Sequence, residues 1–348
     1  MWVGLLAGLG VAHSLPRFAG IFKGSEVLGV VLGATAMVAT FLIDDVRKMS
    51  APAKLAGQVL AGSLLASQGV QMLYFRVPFW DVLVLDQGNG FVITVAWVIV
   101  VSNAVNLIDG LDGLAAGIAA IAGLGFFVYS NRQVNAGLLS SQSLGPLLAA
   151  IVVGICLGFL PHNVHPAKIF MGDTGAMLLG LLLATSTLVV GGRTADDFSG
   201  QTFFFFAPVF IPFVILGVPL LDTALSFARR VIQRRAFHIA DREHLHYRLE
   251  RIGHGHARAV RILWAWTAVL GLVVVAPTFA GPGDRLNVLV LPGILALGVG
   301  LFTVLHPQVR AAAKEADVEE RLIREATGEV PIVRIEAQEP EDRAAASP

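Results

Sequence analysis

Residues 91–113 read FVITVAWVIVVSNAVNLIDGLDG, and the change of character inside that stretch decides the fold. Its first half is apolar apart from Thr94; its second half collects Ser102, Asn103, Asn106, Asp109 and Asp112. A bilayer core about 30 Å thick takes roughly 20 apolar residues as a helix, so 91–107 reads as a membrane span that ends in a polar cluster. The composition agrees. Of 348 residues 55% are apolar and 14% charged, and mean hydropathy is +0.72, whereas about a quarter of a soluble chain is charged. Basic and acidic residues number 25 each, so net charge gives no argument for nucleic acid. The lone Cys156 rules out an internal disulfide, a cysteine zinc site and an iron–sulfur cluster.

Outward from this stretch, apolar runs occur near 2–14, 25–43, 54–74, 91–107, 113–130, 143–161, 174–192, 203–228, 260–280 and 286–305. The fold expected is an all-α polytopic transmembrane bundle of about ten helices over 1–306. A charged cytoplasmic tail, 307–348, follows it, helical at first and disordered after Pro331. The first run lacks a basic n-region and a cleavage site, so it is not a signal peptide. If each run crosses once, the loops near 44–54, 107–112, 162–173 and 229–259 and the tail share one side, which with Arg261 at the edge of the last loop holds 19 of the 25 Lys and Arg. That side is cytoplasmic by the positive-inside rule. Val82, Val84 and Asp86 beside Gly88-Asn89-Gly90 read as a small hairpin on the other side, and the spacing from Gly117 to Gly123 as close helix packing.

Four polar clusters fall on the cytoplasmic side. Asp44-Asp45 ends an apolar run, and two adjacent aspartates repel unless a cation, Mg²⁺ or a lysine such as Lys48 or Lys54, offsets them. In the second cluster Asn103, Asn106 and Asp109 share a helical face, which Asp112 continues if the turn at Gly110 preserves direction. Capping explains one or two such residues, not four, and stacked oxygens suit Mg²⁺. The third, His162-Asn163-Val164-His165-Pro166-Ala167-Lys168-Ile169-Phe170-Met171-Gly172-Asp173-Thr174-Gly175, places Asp173 at a helix N-terminus, where an aspartate caps and an anion is favoured. The fourth runs from Arg234-Arg235 to Asp241-Arg242-Glu243-His244-Leu245-His246-Tyr247-Arg248. His244 and His246 lack the further ligands of a zinc site, and His254-Gly255-His256 repeats their spacing without added carboxylates. Arg and His there read as a clamp for a diphosphate. Carboxylates for a metal and cations for phosphate suit phosphoryl transfer, with an amphiphilic substrate held at the membrane boundary.

Asp44-Asp45, the run from Asn103 to Gly113, the run from Asn163 to Gly175 and Glu243-His244-Leu245-His246 resemble, in this order, the polyprenyl-phosphate N-acetylhexosamine-1-phosphate transferases, over residues 1 to about 305. The resemblance implies transfer of a sugar 1-phosphate from a UDP-sugar to a polyprenyl phosphate (undecaprenyl or decaprenyl), with release of UMP and a requirement for Mg²⁺. The His-Leu-His loop is similar to the branch using UDP-N-acetylglucosamine, which initiates cell-envelope polysaccharides; the consecutive histidines of the peptidoglycan branch, which takes UDP-N-acetylmuramoyl-pentapeptide, are not found. Tyr247 stands where the similar branch has a further histidine. The family has eleven helices, so one more is expected upstream.

On the matching positions the resemblance implies Asp173 and Asn106 as Mg²⁺ ligands, with Asp109 and Asp112 supporting metal or nucleotide. Asp44 and Asp45 are the acid–base candidates. Lys54 would hold the lipid phosphate, Asn103 would contact substrate, and Arg242, His244 and His246 would contact the diphosphate. The mechanism expected is direct attack by the polyprenyl phosphate on the β-phosphorus of the UDP-sugar, with Asp44 removing or holding the lipid-phosphate proton; a two-step route through an aspartyl intermediate stays open. The location implied is the bacterial inner membrane with a cytoplasmic active site, and a homodimer is allowed. An ion-coupled transporter is the competing reading, but its carboxylates would lie near the midplane in repeated halves. Asp222 is the nearest to such a residue. No His-Glu-x-x-His helix supports a metalloprotease.

Overall fold

The computed structural model describes residues 1–76, 82–137, 139–191, 254–279 and 287–305, with Gly217 and Leu249. Among these are nine helices: α1 (Trp2–Ser14), α2 (Glu26–Val46), α3 (Ala51–Ser67), α4 (Gln87–Ile108), α5 (Leu114–Asn135), α6 (Leu144–Asn163), α7 (Gly172–Gly191), α8 (His256–Val275) and α9 (Val290–Leu305). Six of them, counting α8 with the 3₁₀ turn that follows it, are long and apolar enough to cross a membrane. The protein is a multi-pass helical bundle. The apolar run 203–228 and the tail from 306 lie outside the described residues.

Two expectations shift. The run at 54–74 is a helix over 51–67 only, because Gly69 adopts φ +89° and turns the chain out; Lys54 therefore sits inside the first turn of α3. The hairpin exists, pairing β1 (Tyr74–Arg76) with β2 (Val82–Val84) antiparallel. Gly88-Asn89-Gly90 is not its turn but the first turn of α4, capped by Asp86, whose carboxylate accepts the Asn89 N–H at 3.2 Å.

Helix α7 is the axis of the bundle. It packs against α2, α4, α5 and α6, and its residues 175–190 are all buried, the pattern of a helix apolar on every side. Its Thr185, Ser186 and Thr187 hydroxyls donate back to carbonyls of the preceding turn, and Thr187 accepts the Trp97 indole N–H of α4 at 2.7 Å. Lipid is as apolar as leucine, so such helices associate by close packing of small residues. Gly180 shows how close: a Cβ there would lie 2.4 Å from the Ser102 Cα of α4. Backbone cannot move aside as a side chain can. Gly180→Val is therefore expected to cost about 1–3 kcal/mol through overpacking, read as a lowered apparent melting temperature in detergent, and to slow turnover, because α4 and α7 both carry site residues at their ends. An unchanged melting temperature would show that this contact is not tight. Gly117 serves the same purpose on α5, facing Trp264 of α8, whose indole donates to the Leu114 carbonyl at 3.3 Å.

Because successive helices run antiparallel, the C-termini of α2, α4 and α6 and the N-termini of α3, α5 and α7 meet at one end of the bundle. The start of α8 joins them through His256, which stacks on His165. The end of α9 is there too, since the Thr303 carbonyl lies 2.8 Å from His254 Nε2.

Candidate active site at one end of the bundle

The paired aspartates at the end of α2 separate. Asp44 turns inward and is buried, its Oδ2 2.6 Å from Lys54 Nζ and its Oδ1 accepting the Met49 N–H at 2.7 Å. Asp45 is exposed and accepts from the Thr174 hydroxyl of α7 at 2.7 Å. Facing the two carboxylates in different directions, each onto its own donor, relieves the repulsion that adjacency would impose.

Lys54 is shared. Its ammonium also lies 3.6 Å from Asp173 Oδ2, so one cation sits between a carboxylate of α2 and one of α7. Asp173 occupies the first turn of α7, where the helix dipole favours negative charge. Gly172 precedes it with φ +66°, a left-handed conformation that glycine adopts without strain.

The face predicted along α4 is interrupted. Helix geometry stops at Ile108, and Asp109 is the C-cap, with its N–H on the Asn106 carbonyl at 3.2 Å. Asn103 is turned sideways: its amide donates to Gln58 Oε1 of α3 at 2.6 Å and to the Ile99 carbonyl at 2.8 Å. Burial, and then the charges of Asp173 and Asp112, push the Asp109 carboxyl up to about 7. Asp112 lies beyond the turn and points elsewhere, accepting on Oδ2 from the His165 ring at 2.8 Å and the Ala167 N–H at 3.1 Å. Burial pushes its carboxyl up, but these two bonds and the nearby His256 and His165 outweigh that, and the net shift is downward.

Asn163 holds the loops in register. It is buried, its Oδ1 accepts the Gly113 N–H at 3.1 Å, and its Nδ2 donates to the Ile169 carbonyl at 3.0 Å. The His162 carbonyl takes the N–H groups of Lys168 and Ile169, closing the loop before α7.

The structure thus gathers Asp44, Asp45, Lys54, Asp109 and Asp173 into one cluster, with Asn103 and Asn106 on the adjoining helix and Asp112 turned toward histidines. Arg242, His244 and His246 lie outside the described residues. Thr174, Gln58 and His256 were not singled out from sequence as site residues. Gln58 had a signal: it stands one turn after Lys54 on a helix of otherwise apolar and small residues. The expectation that His254-Gly255-His256 has no carboxylate needs correction, because Asp112 approaches His256 from another loop.

The described residues thus form a multi-pass bundle with acidic groups and a lysine gathered at its helix ends. Residues 27–191, which contain this cluster, match glycosyl transferase family 4. The chain is 34% identical over 317 residues to the decaprenyl-phosphate N-acetylglucosaminephosphotransferase of Mycolicibacterium smegmatis, covering 88% of this chain and 77% of that protein. It is 32% identical over 264 residues to a probable undecaprenyl-phosphate N-acetylglucosaminyl 1-phosphate transferase of Bacillus subtilis, covering 76% and 67%. A phospho-N-acetylmuramoyl-pentapeptide-transferase of Desulforudis audaxviator is 34% identical over 277 residues, covering 74% of this chain and 75% of that protein. The chain belongs to glycosyl transferase family 4.

Proposed function

We propose that this protein transfers N-acetylglucosamine 1-phosphate from UDP-N-acetylglucosamine to a polyprenyl phosphate, releasing UMP, at the cytoplasmic face of a bacterial inner membrane. The observation that carries the reading is the Lys54 ammonium held between Asp44 and Asp173, with the Asp109 carboxyl raised by burial first and then by the charges of Asp173 and Asp112. So many carboxylates at one bundle end are stable only beside cations, and both substrates bring phosphate. The relatives named for N-acetylglucosamine transfer cover more of the chain than the one named for pentapeptide transfer, which supports the sugar assigned.

In this reading an oxygen of the lipid phosphate attacks the β-phosphorus of the UDP-sugar, and the bond from that phosphorus to the UMP oxygen breaks. Asp44 would take or hold the lipid-phosphate proton. Lys54, which lies between Asp44 and Asp173, would exchange a carboxylate for the lipid phosphate. Asp45, tied to Thr174, keeps the end of α2 against the start of α7. Arg242, His244 and His246 would clamp the diphosphate.

The donors fit Mg²⁺: Asp173, Asn106 and Asp109 offer hard oxygens. When bound, Mg²⁺ would neutralise charge on the diphosphate oxygens. Purified protein given UDP-N-acetylglucosamine and undecaprenyl phosphate is expected to release UMP with Mg²⁺ and none with EDTA. Solute movement across liposomes without UMP would instead favour a transporter.

A further inference from the structure

The geometry points to Gln58 as a positioning residue that acts through Asn103: it fixes the Asn103 amide so that only the carbonyl oxygen is offered to the sugar nucleotide. The inference rests on the transferase reading above. Asn103 Nδ2 donates to Gln58 Oε1 at 2.6 Å and to the Ile99 carbonyl at 2.8 Å. A side-chain amide has two N–H donors and one carbonyl, so both donors are taken inside the bundle. No hydrogen bond among the described residues uses Asn103 Oδ1, and the residue is only half-buried.

The polarity of these bonds is set by a group that cannot turn over. The Ile99 carbonyl belongs to the α4 backbone and can only accept, so the Asn103 amide must present its nitrogen there. Gln58 must then present oxygen to that same nitrogen. An untethered asparagine could offer either end of its amide to a ligand; this one offers an acceptor. Gln58 is 4% exposed on a helix of otherwise apolar and small residues, and a buried amide is costly unless it is hydrogen-bonded. The bond is not needed to bring the two helices together. One turn further along α3, a Cβ on Gly62 would lie 3.2 Å from Val95 Cα of α4, so close packing of small residues already sets their approach.

An acceptor-only group selects its ligand. An ionised phosphate oxygen is itself an acceptor and gains nothing from Asn103 Oδ1, whereas a hydroxyl or an amide N–H donates to it. In the proposed reaction the hexosamine and the nucleoside of the sugar nucleotide both carry such donors, and the prenyl tail carries none. Lys54 stands one turn before Gln58 on the same face of α3 and supplies the cation that phosphate needs. Two neighbouring side chains thus divide recognition, one giving charge to phosphate and the other orienting an oxygen toward an O–H or N–H.

The test uses the full chain in detergent with Mg²⁺, titrated by calorimetry with UDP-N-acetylglucosamine and, separately, with UDP. Gln58→Met keeps the length of the side chain and removes its acceptor. It should weaken UDP-N-acetylglucosamine binding about 3- to 10-fold, the worth of one neutral hydrogen bond, and leave the KM for undecaprenyl phosphate unchanged. Asn103→Leu should weaken it at least as much, and the double variant no more than Asn103→Leu alone, since residues acting through one another are not additive. UDP weakened by the same factor places the donor on the nucleoside; UDP bound as by the parent places it on the hexosamine; either supports the inference. Melting temperature shows whether each variant is folded, and Gln58→Leu repeats the test should Gln58→Met not be. A role in packing alone predicts a lowered melting temperature with parental nucleotide affinity. That result, additive losses in the double variant, or a loss confined to undecaprenyl phosphate would overturn the inference. A parent chain that releases no UMP would instead remove the transferase reading, so the two fail separately.

Discussion

Asp173→Ala protein is expected to release UMP from UDP-N-acetylglucosamine at least about 1000-fold more slowly than the parent chain, at every Mg²⁺ concentration, as befits removal of a group that organises charge at a reaction centre. Asp173 begins the central helix, lies 3.6 Å from the lysine that also binds Asp44, and acts electrostatically on Asp109. Its removal therefore touches three of the proposed functional groups at once. Its side chain is 44% exposed, and half-exposed ion pairs contribute little to stability. The variant should melt close to the parent, which separates lost chemistry from lost fold. Unchanged turnover would remove Asp173 from the cation site.

Asp109→Asn is expected to move stability and activity in opposite directions. The Asp109 carboxyl ordinarily ionises near 3.8 and in the folded protein near 7, through burial first and the charges of Asp173 and Asp112 next. Between those values the folded chain holds a proton that the unfolded chain has lost, so stability falls as pH rises through the interval and stays reduced above it. A neutral amide escapes this cost. In EDTA at pH 8 the variant should be more stable by on the order of a few kcal/mol, with the gain fading toward pH 4. Melting curves at the two pH values read this directly, and a UMP assay with Mg²⁺ should show turnover falling as stability rises. A variant less stable than the parent at pH 8 would show that Asp109 is not under electrostatic stress. Charge stored at a site at the expense of the fold is a common sign that the site works on charge.

Much of the fold was legible because its causes are local. Hydropathy over a single helix length found eight of the nine described helices within a few residues. α3 was displaced only because 68–74 is apolar enough to extend the run, while Gly69 turns the backbone. Asp173 at the start of α7 and Asp109 beside a glycine turn follow from cap and turn chemistry within a few positions. The hairpin was legible, but its turn was not, since Gly88-Asn89-Gly90 serves helix α4 through the Asp86 cap as readily as it would serve a turn.

The arrangement inside the site was not legible in the same way. Asp44 and Asp45 are neighbours in sequence with opposite environments, and nothing in the pair says which turns toward Lys54. Asp112 looked like the next step of the Asn103, Asn106 and Asp109 ladder until the turn at Gly110 directed it to His165. The amino-acid sequence alone determined that the chain is a membrane bundle, which helix ends are polar and which residue types gather there, since those properties arise within one or two helical turns. Only the tertiary structure decided that Thr174 meets Asp45 across 129 positions and that His165 meets Asp112 across 53. Such pairings depend on how closely whole helices approach, and that distance is set by small residues such as Gly180 and Gly117.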